Sequence, residues 1–186
     1  MALSASNVRV AVTGAVYADL TGGATAPTGT ASALTGYDDL GYVSEDGVTL
    51  TMPDAGDATP IRAWQNGAKV RVVRSTSDDN PQISLTLIET KLEVVEFVFG
   101  VTVTQTISEG SFEFDVEQVR DPVPVILDVV DGAELVRIYA PQPVVASIGE
   151  ISLTSTDAIG YNVTLDLERD NTAGYNFKSW LTALKS

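Results

Sequence analysis

The sequence contains neither cysteine nor histidine, and these two absences exclude several kinds of chemistry. Without cysteine there is no disulfide and no thiolate nucleophile, and cysteine usage gives no clue to the redox compartment. Without histidine the commonest general base and metal ligand is missing, so Ser-His-Asp and Cys-His groups are excluded. Chemistry by carboxylates survives, as a glycosidase pair or as an oxygen-ligand site for calcium or magnesium.

Basic residues and long apolar runs are also scarce. Eleven Lys and Arg stand against 25 Asp and Glu, which gives a formal net charge of −14. Such a surface repels phosphates, so a conventional nucleic-acid binder is not expected, although DNA could slide past it. No apolar run approaches the roughly 18 residues of a membrane-spanning helix, and the N-terminus does not resemble a signal peptide. We therefore expect a soluble protein, made in a cytoplasm and without a membrane partner.

The residues that are present favour one mainly β domain over positions 1–186. Hydrophobic residues make up 44 % of the chain, enough for a core, and they alternate with polar residues in many short runs. Two segments, 20–36 and 53–67, lack this periodicity and are expected to form extended loops. The predicted strands are 7–17, 42–43, 48–52, 68–76, 82–88, 101–107, 111–119, 122–130, 134–140, 143–154 and 160–168.

Two helices are predicted within this β pattern. Thr90 followed by Glu93 fits a capping box, and Gly100 fits a helix stop, which predicts a short helix between them. Near the end, Phe177, Trp180, Leu181 and Leu184 recur with helical spacing behind Asn176 as N-cap, which predicts a short amphipathic helix in a C-terminal arm at 170–186.

The stretch LGYVSEDGVTL offers a serine beside two carboxylates. A serine nucleophile needs a base within hydrogen-bond reach, and no histidine can serve. Asp46-Gly47 between two alternating runs is instead typical of a two-residue hairpin turn. We interpret this stretch as a corner between two strands.

Acidic residues supply the other chemical candidates. Glu113, Asp115 and Glu117 alternate along a predicted strand and have three interpretations: a glycosidase pair, a solvated face, or a surface that repels anions. Asp166 and Glu168, also on a polar strand face, could join that surface. Asp78-Asp79-Asn80 resembles part of a calcium loop but lacks its full spacing, and an Asx turn before Pro81 explains it equally. We assign no catalytic, metal or cofactor residue.

Basic residues are concentrated in one short stretch. Four of the eleven lie within 13 positions, beside one of the two tryptophans. This pattern fits either a basic surface strand or a contact site, since tryptophan and arginine are enriched at interfaces. In so acidic a chain, the complementary surface would be another copy of the chain. The candidate contact residues are Arg62, Trp64, Lys69, Arg71 and Arg74.

The order of motifs resembles a known family. ASNVRVAVTGAVY is followed by LTGYDDLGYVSEDGVTL, RAWQNGAKVRVV and LTLIETKLEVVEFVFG. In this order they resemble the major tail proteins, or tail tube proteins, of long-tailed actinobacterial phages (siphophage type). The resemblance covers about the first hundred residues, and the remainder fits as a β-rich continuation.

The resemblance implies a tail-tube-like β-sandwich or barrel with one short helix packed on it. The sheet would join those of five further copies in a hexameric ring, and stacked rings would form a tube that conducts DNA into the host. Implied partners are the protein itself, the tape measure protein in the lumen, and the tail terminator and tail tip proteins. On this reading Glu113, Asp115, Glu117, Asp166 and Glu168 face the lumen, while the basic cluster joins stacked rings. The alternative is a β-sandwich carbohydrate-binding or adhesion module.

Overall fold

The computed structural model describes residues 7–75 and 79–185. One α-helix, α1, spans Leu92–Phe99, and a 3-10 turn spans Thr182–Leu184. The strands, in chain order, are β1 (Thr13–Ala18), β2 (Asp38–Asp39), β3 (Val43–Thr51), β4 (Ala58–Arg62), β5 (Lys69–Arg74), β6 (Gln82–Leu87), β7 (Thr104–Gln105), β8 (Gly110–Ser111), β9 (Val125–Asp131), β10 (Glu134–Ala140), β11 (Gln142–Ile148), β12 (Tyr161–Glu168) and β13 (Lys178–Leu181).

Two antiparallel sheets enclose the core. The first has the order β13-β10-β9-β1-β2 and the second β11-β12-β6-β3, and both are open sheets rather than a closed barrel. Alternate residues of β6 and β12 point inward, and they meet residues of β1 and β9 in one buried cluster. The prediction of a mainly β sandwich is confirmed.

Helix α1 covers part of this core. Val94, Phe97 and Val98 are its buried residues. Gly100 ends the helix with a φ of 66°, and its N–H bonds the carbonyl of Glu96, as predicted. The capping box is wrong, because the N-cap is Lys91 and Thr90 instead bonds the hydroxyl of Tyr161 at 3.0 Å.

The loop at 20–36 packs on the outer face of the five-stranded sheet. Arg137 and Asp128 form a buried bidentate ion pair there, with N···O distances of 2.8 and 2.7 Å. The remaining Nη1 of Arg137 donates to the carbonyls of Gly29 and Ser32. Asp19 accepts backbone N–H bonds from the first residues of the same loop. The loop is irregular as predicted, and the side chains of Asp19 and Arg137 from the same chain hold it in place.

The predicted corner at Ser44–Gly47 is wrong. Val43 pairs with Leu87 and Val48 with Leu85, so five steps along β3 match two steps along β6. Three residues therefore bulge out of one continuous strand. Gly47 has a φ of 72°, the left-handed conformation that glycine supplies in many bulges.

Five further predicted elements differ in the structure. The first strand begins at Thr13 rather than residue 7, and the 53–67 loop contains β4. The predicted strands at 101–107 and 111–119 shrink to the two-residue β7 and β8. The predicted C-terminal helix is β13 and a 3-10 turn, because this segment completes the sheet edge beside β10. Backbone pairing there replaces a helix too short to be stable alone.

Candidate assembly surfaces

The outward side of the four-stranded sheet, here called the polar face, carries no Lys or Arg. Core residues alternate with outward residues along each strand, so the face follows from the period of two. Cross-strand bonds tie it together: Ser84 to Thr164 at 3.2 Å and Asn162 to Thr86 at 3.0 Å. By register its members are Thr49, Thr51, Gln82, Ser84, Thr86, Gln142, Val144, Ser147, Asn162, Thr164, Asp166 and Glu168.

Asp166 and Glu168 lie at one end of this face. The carboxylate of Asp166 accepts a bond from the side-chain amide of Asn80 at 3.2 Å. Asn80 also accepts from Asn176, which fixes the approach to β6. Asp78 of the predicted calcium-like turn lies outside the described residues. Within the described part of the chain, no three acidic residues are grouped so as to hold a metal ion.

Strands β4 and β5 form a two-stranded hairpin, here called the basic hairpin (residues 58–75). All its strand residues are exposed except Val72, which is half-buried. It carries four basic residues and no acidic one, and in the described chain none of the four forms a salt bridge. An isolated two-stranded hairpin is marginally stable in water, so packing against a partner would stabilise this one.

The tip of the basic hairpin presents Trp64. Its exposed fraction is 96 %, the fullest exposure of an aromatic side chain among the exposed large hydrophobic residues. Backbone bonds from Ala63 to Ala68 and from Gly67 to Ala63 shape the tip, and Asn66 bonds the N–H of Ala68. The structure thus places Arg62, Trp64, Lys69, Arg71 and Arg74 on one exposed hairpin, and their role as a contact site stays a prediction.

Residues 101–119, here called the acidic segment, project from the end of α1. Val103 bonds the carboxylate of Glu96, and Gln118 donates to the carbonyl of Gly100 at 2.7 Å. Arg120 donates to the carbonyl of Val98, which satisfies a free carbonyl of the last helical turn. The segment contains four acidic residues and no basic one, and every residue from 104 to 119 is exposed.

Two phenylalanines pack the acidic segment against the helix. The rings of Phe112 and Phe114 lie 5.1 and 5.7 Å from that of Phe99. Both remain nearly half exposed, at 42 and 46 %. The predicted alternation of inward phenylalanines and outward acids therefore survives only as a local cluster, since the strand itself is absent.

The structure does not bring the five acidic candidates onto one face. Glu113, Asp115 and Glu117 are exposed on the irregular part of the acidic segment, whereas Asp166 and Glu168 lie on β12. The segment lies beside Ser147 and Ile148, towards the opposite end of β12. The strand-face argument that grouped all five is therefore wrong for the first three.

A groove of 320 Å³ opens between β1 and β3. Its lining is mostly backbone and small or aliphatic side chains, with Glu45 as the one carboxylate. A glycosidase needs two carboxylates facing each other across such a cleft. The groove therefore does not have the arrangement of an active site.

Sequence analysis missed the anchors of the 20–36 loop. Burial tends to raise the pKa of Asp19, but the N–H groups of Ala24, Gly23 and Gly22 outweigh it, and the pKa lies below its usual value. The hydrogen bond and charge of Asp128 raise the pKa of Arg137 against the opposing effect of burial. The available signal was one charged residue inside each of two apolar runs, Asp128 in VILDVV and Arg137 in LVRIYA, which suggests a buried ion pair.

These features define a class: an acidic β-sandwich with open sheets and two exposed segments of opposite charge. Residues 1–183 match the family model described as Phage tail tube protein, and the chain belongs to that family. It is a structural, non-enzymatic protein of the virion tail. A search of curated proteins found no match.

No helix in the described residues is long and apolar enough to cross a membrane. The actinobacterial host stays a prediction.

Proposed function

We propose that six copies of this chain form a ring, and that stacked rings form the tube through which the genome passes into the host. The tape measure protein would occupy the lumen during assembly, and the terminator and tip proteins would close the two ends. Self-association into a tail tube is what the family provides, while the ring number and the lumen contents belong to this proposal.

The observation that carries the proposal is the polar face without a cation. Neutral hydroxyl and amide groups dominate it, and its two charges, Asp166 and Glu168, are negative. A duplex carries one negative charge per 1.7 Å or so of its axis and is held chiefly by Lys and Arg. A tube lined by this face would let DNA slide without binding it. We therefore keep Asp166 and Glu168 as lumen residues and withdraw Glu113, Asp115 and Glu117 from that role.

The edges of the same sheet support ring closure. Strands β3 and β11 are its two outermost strands, and in the described sheets each pairs with a strand on one side only, although the carbonyl of Pro143 in β11 already accepts a bond from the N–H of Val123 at 3.0 Å. Unpaired edges invite pairing with another chain, and a closed ring removes them. In this arrangement β3 of one copy would lie beside β11 of the next.

The basic hairpin is our candidate for the contact between stacked rings. It is exposed along both strands, it is short of contacts with the rest of the described chain, and it carries Trp64 at its tip, next to the register pair Arg62 and Lys69. The alternative function, a carbohydrate-binding module, requires aromatic side chains gathered on one face. The exposed rings of Tyr42, Trp64 and Phe112 lie in three separate places: just before β3, at the tip of the basic hairpin, and in the acidic segment.

Native mass spectrometry tests the ring. Six chains of 19.6 kDa each give about 118 kDa, and assemblies should appear at multiples of that mass. Assemblies built on another number of copies would refute six-fold symmetry.

Charge reversal tests the lumen. Tails carrying Asp166→Lys and Glu168→Lys should assemble yet eject DNA slowly, because two cations would now line the channel. The matched control, Asp166→Asn with Glu168→Gln, changes the same positions without adding a cation and should eject normally. Normal ejection by the lysine variant would remove these residues from the channel wall.

A further inference from the structure

The basic hairpin and the acidic segment lie at opposite ends of the four-stranded sheet. The hairpin follows Thr51, which pairs with Gln82 at the start of β6. The acidic segment packs on Phe99, whose ring lies 6.2 Å from that of Tyr161 at the other end of the sheet, where Tyr161 pairs with Leu87, and from there the segment runs beside residues 145–148 of β11. Six residues of β6 separate the two ends by about 17 Å along the strand.

The two projections are complementary in charge and in exposed apolar surface. The basic hairpin has four cations and no acid, and the acidic segment has four acids and no cation. Beside its charges the hairpin exposes Ile61, Trp64 and Val70, and the segment exposes Ile107 and Val116. Each surface therefore offers what the other requires: opposite charge to orient the contact and apolar side chains to bury.

We propose that the basic hairpin of one copy docks on the acidic segment of the next copy along the tube. The proposal rests on the stacking role proposed above and names the surface that receives the hairpin. Lys69 and Arg71, which lie on the same side of β5, would face Glu113 and Asp115 of the other copy. The contact is head-to-tail, because each copy presents the hairpin at one end and the segment at the other. Head-to-tail contacts that do not close on themselves propagate without limit, as tube growth requires.

The anchoring of the two surfaces fits these roles. The acidic segment is held to the last turn of α1 at both of its ends, through Val103 and through Gln118 and Arg120. It is therefore a pre-positioned receiving surface, whereas the hairpin pairs only within itself in the described sheets. Binding would order the hairpin against a surface that already has its shape, which keeps the entropic cost of docking low.

A charge swap tests the pairing. Lys69→Glu with Arg71→Glu, and separately Glu113→Lys with Asp115→Lys, should each reduce tube yield about tenfold or more, because like charges would meet. The chain that carries all four substitutions restores opposite charges across the contact and should regain most of the yield. Arg169→Glu with Lys185→Glu changes the net charge as much as the hairpin reversal, at exposed sites outside both surfaces, and should assemble normally.

The outcomes separate the pairing from the function it rests on. Tube yield is counted by electron microscopy after circular dichroism has shown each variant to be folded. Recovery in the four-fold variant supports the pairing. If each double variant loses tubes and the four-fold variant does not recover them, the pairing is overturned but the stacking role of the hairpin stands. If neither double variant loses tubes, both the pairing and the stacking role are overturned. A wild-type chain that forms neither rings nor tubes overturns the proposed function itself.

Discussion

Replacing Arg137 by methionine should cost more stability than any surface substitution in this chain. The side chains of Arg137 and Asp128 are 5 and 13 % exposed, and the guanidinium donates twice to the carboxylate. Methionine keeps the length and apolar stem but leaves Asp128 buried without a cation. Removing one partner of a buried ion pair typically costs about 3–5 kcal/mol.

The same substitution releases the 20–36 loop. The carbonyls of Gly29 and Ser32 lose their charged donor, and hydrogen bonds to charged groups contribute about 1.5–3 kcal/mol each. We therefore expect the unfolding free energy to fall by about 5 kcal/mol, the upper end of the range for a broken buried ion pair. We also expect faster proteolysis within residues 20–36.

Urea unfolding followed by tryptophan fluorescence measures this effect. Trp180 lies opposite Arg137 in the β10–β13 register and reports on that sheet, whereas Trp64 is exposed even in the folded chain. The matched control is Asp128→Leu with Arg137→Met, which removes both charges and should recover much of the loss. A change below about 1 kcal/mol for the single variant would refute the reasoning, since that is within the range of surface pairs.

Three other substitutions test separate parts of the fold. The pKa of Asp19 is lowered in the folded chain, so its contribution to stability is present above the ordinary carboxyl pKa and is lost as pH falls through the folded pKa. The difference in unfolding free energy between wild type and Asp19→Asn should therefore close as unfolding is measured at lower pH. Gly41→Ala should destabilise by about 1–3 kcal/mol in thermal unfolding, since φ is 76° and a Cβ would lie 2.6 Å from the Glu89 carboxylate. Trp64→Ala should change the unfolding free energy by less than about 0.5 kcal/mol yet lower tube yield, and a large loss of stability would contradict its exposed position.

Strands whose two faces differ in environment could be predicted from sequence. In β6 and β12 one face is buried and the other polar, so alternation predicts both the strand and the face. The turn at Asp131-Gly132 was also predictable, because Gly132 supplies a positive φ between two strands that pair directly. Asp166 and Glu168 could therefore be placed on a polar face before the structure was known.

Segments whose conformation depends on distant partners could not be predicted. The helical spacing of Phe177 and Trp180 is real, but pairing with β10 gives that segment a strand conformation. The alternation of Phe112 to Glu117 exists without a neighbouring strand, and the rings pack on Phe99 instead. Asp46-Gly47 has the residues of a hairpin turn, yet both flanking runs pair with β6, which makes it a bulge. Local pattern alone does not determine these outcomes.

Negative-stain electron microscopy of the purified chain, at low and high concentration and at two salt levels, tests the central claim most directly. The account predicts rings and hollow tubes of uniform bore whose symmetry average shows six subunits, with fewer tubes at high salt because charge complementarity across the contact is screened. Particles that remain single subunits at every concentration and salt level would contradict it.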